Sequence, residues 1–202
     1  MTLDRLLNAL RNGDNVPDSV TVPVSLSVKL RELWEQSTNK LVEYGATLIQ
    51  THDGEITIGE LVCGTRTSVC ITTKAMKYKD VFGIVHTHVY ESGITGVAFS
   101  EDEIAHIINY RIEISIVVSG KHLFLIGQSL KHWHGEVDAT EFKEKFNEGY
   151  KHFLRNADVD WREALLRANA VMCCAHGLAL YYGMEFKLKH VRGGVHSARW
   201  SI

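Results

Sequence analysis

Residues 83–88 read Gly83-Ile84-Val85-His86-Thr87-His88, and beyond a glycine-containing loop the chain reads Phe99-Ser100-Glu101-Asp102-Glu103-Ile104. Val81 opens an apolar run that ends in the two histidines, which predicts a strand over Val81–His88. Side chains alternate across a strand, so His86 and His88 point to the same side. Two imidazoles converging on one point are half of a metal site. Ser100 and Glu103 form a capping-box pattern, and Ile104, Ile107 and Ile108 supply an apolar face, which predicts a helix opening at Ser100. Strand and helix together bring two histidines to an acidic helix start.

Upstream, Glu43-Tyr44-Gly45-Ala46-Thr47-Leu48-Ile49-Gln50 is a strand candidate, and Asp53-Gly54 is a hairpin signal. Glu55–Cys63 and Ser68–Thr73 are expected to continue the sheet, with Lys74–Asp80 as a loop. Residues 1–12 read as a short amphipathic helix, 13–24 with Pro17 and Pro23 as an irregular connection, and Ser27–Ser37 as a second helix. Downstream, Ile112–Val118 is a buried strand, Ser119-Gly120 a turn, and His122–Ile126 its partner. Asp138-Ala139-Thr140 caps a helix carrying Phe142, Phe146 and Phe153. Asp158-Val159-Asp160 starts another, expected to run toward Tyr182 and stop at Gly183. This order predicts an α/β (α+β layered) arrangement.

The bulk properties are those of a folded domain. The 202 residues suffice for one substantial core. A formal charge of −2 gives no global case for nucleic acid or an anionic membrane as the main partner. No apolar run is long enough to span a membrane. Leu3, Leu6, Leu7 and Leu10 are spaced like one helix face, with Asp4 and Arg5 between them, unlike a signal peptide. Cys63, Cys70, Cys173 and Cys174 contain no C-x-x-C pair, which speaks against a cysteine-based zinc site. Four free thiols fit a reducing compartment, although four cysteines could also make two bridges, and the cytoplasm is the default location.

A catalytic zinc site takes histidine or carboxylate ligands and keeps an open position for water. His86 and His88 supply two nitrogens, and Asp102 and Glu103 are both candidates for a third ligand. Zinc lowers the pKa of its water to about 7, giving a nucleophile at neutral pH. A general base must take the proton and return it to a leaving amine. Glu43, at the start of the first strand, is the best-placed upstream glutamate. A hydroxyl near the substrate carbonyl stabilises the oxyanion, and Ser100 stands where that is needed. Ser100 and Glu103 also have a purely structural reading, because a capping-box glutamate turns toward the backbone and away from a metal.

Glu43, His86-Thr87-His88 and Ser100-x-x-Glu103 resemble the JAMM motif of the JAB/MPN metalloprotease family. The helix ahead of the glutamate strand and the hairpin Val117-Val118-Ser119-Gly120-Lys121 are similar too. The resemblance covers roughly residues 26–127. It implies a central mixed β-sheet flanked by helices, with residues 1–25 as an N-terminal helix and connection and 26–135 as the catalytic core. Residues 136–202 would be C-terminal helices and a basic tail packed on that core, in a single domain overall. It implies Zn2+ as cofactor, His86, His88 and, by register, Glu103 as metal ligands, Glu43 as general base and Ser100 as the oxyanion-side hydroxyl. The activity implied is that of a deubiquitinase-like isopeptidase, with a ubiquitin-like protein or its conjugate as substrate. Other members lack the metal and act as scaffolds, which is the alternative. This chain has Val89 where the family has proline, a longer loop from His88 to Ser100, and Glu103 where aspartate is usual. The substrate is expected to enter beside the loop Val89–Phe99.

Other features read as structure. His132-Trp133-His134 reads as a polar loop, and Cys173-Cys174-x-His176 as buried core of an apolar helix. Arg192-Gly193-Gly194 reads as a surface tail or a last edge strand.

Overall fold

The computed structural model describes residues 1–71, 80–89, 96–184 and 186–193. Its elements are α1 (Leu3–Asn12), β1 (Ser19–Thr21), α2 (Val24–Lys40), β2 (Tyr44–Gln50), β3 (Ile56–Ile58), β4 (Val62–Cys63) and β5 (Val81–Thr87). They continue with α3 (Glu101–Asn109), β6 (Ile114–Ser119), β7 (His122–Gln128), α4 (Ala139–Asn156), α5 (Trp161–Ala175), β8 (Leu178–Met184) and β9 (Lys187–Val191). The strands form one mixed sheet in the order β1-β9-β8-β7-β6-β5-β2-β3, with β4 also pairing β2. Among the described pairs within this sheet, β5 with β6 is parallel and the rest are antiparallel. The class expected from the sequence, mixed α and β in layers, is the class observed.

Each face of the sheet carries its own core. Leu3, Leu6, Leu7 and Leu10 of α1 and Leu26, Leu30 and Leu33 of α2 pack on one face, against Leu48, Ile116, Leu125 and Tyr181. Ile104, Ile107 and Ile108 of α3, Phe142 and Phe146 of α4 and Leu166 of α5 pack on the other, against Val117, Phe124, Ile126 and Leu180. Strands covered on both sides lose the polar–apolar alternation of a half-exposed sheet. That explains why β6 and β7 are buried along their whole length.

Several sequence expectations change. The last helix does not run to Tyr182: it ends at Ala175, and Gly177 turns the chain with φ +69°. Leu178–Met184 then enters the sheet beside β7. Gly183 lies inside this strand, and a Cβ there would stand 1.9 Å from the Lys187 carbonyl oxygen of β9. The glycine therefore serves close strand packing rather than a helix stop. The connection over 13–24 contains β1, and α2 is longer than Ser27–Ser37 at both ends. Residues 68–71 are irregular, so they do not extend the sheet. Thr72, Thr73 and the loop residues 74–79 lie outside the described residues. β9 sits between β1 and β8 and is not an edge strand, and Arg192 and Gly193 follow it. Gly194 and the residues after it lie outside the described residues. Cys174 is exposed rather than buried, while Cys173 is buried. No described helix is long and apolar enough to cross a membrane.

Gly183→Ala is expected to destabilise the protein by about 1–3 kcal/mol, because the methyl group meets backbone that cannot yield. Gly149→Ala in α4, where a Cβ meets nothing within 4 Å, is expected to stabilise by about 0.5–1 kcal/mol. Urea denaturation of both variants checks the opposite signs.

Candidate metal centre

The pairing of β2 with β5 sets the site. Gly45 stands opposite His86. Continuing that antiparallel register by two residues brings Glu43 opposite His88, on the same face. Alternation sends Thr87 to the other face. A Cβ on Gly45 would lie 2.8 Å from Ile71 Cδ1 and 3.2 Å from Val69 Cγ1, so a glycine here lets the 67–71 segment cover the face beside the histidines.

The parallel step from β5 to β6 requires a crossover, and α3 makes it. The helix start therefore lies at the carboxyl end of β5, where open α/β sheets place their ligands. Ser100 caps α3: its Oγ accepts from the Glu103 backbone N–H at 3.3 Å, and its own N–H donates to Glu103 Oε2 at 2.6 Å. The other carboxylate oxygen, Oε1, lies 2.6 Å from His86 Nε2 and 3.0 Å from His88 Nε2. The two Nε2 atoms are 3.1 Å apart. Capping and facing the histidines, alternatives in the sequence, are both made, one by each oxygen.

This triangle, with edges of 2.6, 3.0 and 3.1 Å, is tighter than the ligand set of a cation and would open slightly to take one. Ligand atoms around a tetrahedral zinc with bonds of about 2.0–2.1 Å stand about 3.3 Å apart. His88 Nδ1–H donates to the Val97 carbonyl at 3.1 Å, which in the neutral ring leaves a lone pair on Nε2. Two ring nitrogens at 3.1 Å, both against one carboxylate oxygen, are short of protons to satisfy every contact. His86, His88 and Glu103 thus form a group that could hold a metal ion.

The charges reinforce one another. Burial alone would lower the His88 pKa, but the Glu103 and Glu43 carboxylates outweigh it and raise the pKa above its ordinary value. Burial alone would raise Glu103, yet the two histidines hold it well below the usual carboxylate range. Glu43, 3% exposed, is pushed up to about 7 by burial, with His88 opposing and Glu103 adding. Glu43, His86, Ser100 and Glu103 line one cavity of about 400 Å³. Asp102, the rival ligand, is at the rim, with its carboxylate 3.5 Å from Lys143 Nζ and outside the histidine group.

The sequence missed the supports. On the back face, Thr87 Oγ1 lies 2.6 Å from Ser37 Oγ and accepts from the Tyr44 N–H at 3.0 Å. Ser37 in turn donates to the Val42 carbonyl. The end of α2 and the start of β2 are thereby tied to the residue between the histidines. A threonine pointing into an apolar face was the available signal, since it must find a partner. On the front, Val97 N–H donates to Ser119 Oγ at 2.9 Å, and Asn169 of α5 donates to the Phe99 carbonyl at 2.9 Å. Residues 90–95 of the expected entrance loop lie outside the described residues.

His132 donates to the Gly13 carbonyl at 3.2 Å from a short 3-10 turn, in keeping with a loop role. Burial pushes the Cys173 thiol far up, away from nucleophilic use.

No protein-family model matches this chain, and no curated protein matches it.

The protein is expected to bind about one divalent metal ion per chain, lost in His86→Ala and Glu103→Ala, by metal analysis after dialysis. Protons compete for His88 Nε2, so metal affinity is expected to fall on acidification. In the metal-free protein, Glu43 ionises at higher pH when folded than when unfolded. Its burial therefore costs stability as pH rises from the unfolded pKa through about 7, and the cost is full above that. Glu43→Gln is expected to raise the melting temperature of chelator-treated protein more at high than at low pH. The gain is about 1–2 kcal/mol after screening by solvent in the cavity.

Proposed function

We propose that this chain is a zinc-dependent peptidase or isopeptidase of the JAMM type, removing or processing a ubiquitin-like protein. The observation that carries the reading is the meeting of His86, His88 and Glu103 at one point in a cavity that also holds the Glu43 carboxylate. Bound zinc would supply a Lewis acid for the scissile carbonyl and acidify the attacking water. Glu43 takes a proton from that water and hands it to the leaving amine. Ser100 Oγ accepts from Glu103 N–H, which leaves its own hydroxyl proton for the developing oxyanion. Glutamate in place of the family's aspartate is compatible with ligation, because the longer side chain caps α3 with one oxygen and reaches the histidines with the other. A donor set of two imidazoles and a carboxylate supports the choice of zinc. The substrate class rests on the resemblance to the JAB/MPN family.

The test is turnover of a linear ubiquitin-like fusion and of an isopeptide-linked conjugate by zinc-loaded protein. Glu43→Gln is expected to lower kcat by about 10²–10⁴-fold with zinc content unchanged. Absence of zinc after attempted reconstitution, with no cleavage of either, would favour the scaffold reading. Cleavage of small amides alone would redirect the substrate class.

A further inference from the structure

The cavity does not end at the metal-ligating side chains. Ile84 pairs with Ser115 and His86 with Val117, so Ser115 lies two residues back from the histidine along the sheet, roughly 7 Å. Ile114 and Ile116 of the same strand pack on the opposite face, which turns the Ser115 side chain to the cavity side. Ser115 is fully buried and lines the cavity with Ile84 and Ile107. Its hydroxyl makes no hydrogen bond among the described residues. A buried hydroxyl without a partner costs about 1–3 kcal/mol, and native structures seldom leave one so. Packing alone would be served as well by alanine.

We infer that the cavity continues past His86 into a pocket for an uncharged hydrogen-bonding group on a slender apolar stem, and that Ser115 recognises that group. The inference rests on the peptidase reading, since the stem belongs to a substrate held at His86, His88 and Glu103. The apolar side chains of Ile84 and Ile107 suit the stem. Glu43 and Glu103 repel an anionic terminus. The isoleucines beside Ser115 offer a cation no counter-charge. A serine hydroxyl both donates and accepts, so its complement is a hydroxyl or a carboxamide.

Two hydroxamates test this on the zinc-loaded protein by calorimetric titration: pentanohydroxamate with a terminal hydroxyl, and hexanohydroxamate, its methyl isostere. The wild type is expected to prefer the hydroxyl form by up to about tenfold. Ser115→Ala is expected to abolish the preference while holding hexanohydroxamate at least as well. Its ligand-free melting temperature should not fall, because no protein hydrogen bond is lost. No preference in the wild type, a preference kept by Ser115→Ala, or a fall of several degrees in its melting temperature overturns the pocket. Absence of both zinc and hydroxamate binding in the wild type overturns the peptidase reading, and the substrate assignment with it.

Discussion

The Glu103 carboxylate joins the start of α3 to the histidines at the end of β5. Oε2 accepts the Ser100 N–H at the start of α3, and Oε1 faces both histidines at the end of β5. A helix start leaves N–H groups that need acceptors, and buried imidazoles need a counter-charge or a cation. One side chain meets both needs. Rotating α3 by a single residue would break the cap and empty the histidine site together. The parallel β5–β6 pair makes this arrangement available, because its crossover helix must begin above the carboxyl end of β5.

The remaining supports come from far along the chain. Ser37 at the end of α2 holds Thr87 from behind, and Asn169 of α5 holds the Phe99 carbonyl from in front. The C-terminal half, outside the stretch that resembles a known motif, therefore fixes the loop that orients His88. Asn169 is fully buried, as expected of a polar residue that ties two segments of main chain together.

Local pattern made much of this legible. Alternation placed His86 and His88 on one side, and the capping box placed Ser100 and Glu103 at a helix start. Neither rule says where the two carboxylate oxygens of Glu103 go, and that depends on the third dimension. The reading of a long last helix failed for a definite reason. Leu178-Ala179-Leu180-Tyr181-Tyr182 follows an apolar helix, and a strand buried on both faces has no alternation to separate it from one. Gly177, with its positive φ, carried the boundary. Ser37 and Asn169 were invisible because their partners lie 50 and 70 residues away.

The insertion of β8 between β7 and β9 has a consequence for how the protein is made. During synthesis, β6 and β7 can pair as a local hairpin long before Leu178–Val191 leaves the ribosome. Until then β7 presents an unpaired edge with Leu123, Phe124, Leu125 and Ile126 on its two apolar faces. Such an edge is a template for pairing with another chain. The last strands thus close the sheet against self-association, and a chain truncated after α5 would be prone to aggregate even with every residue of the histidine site present.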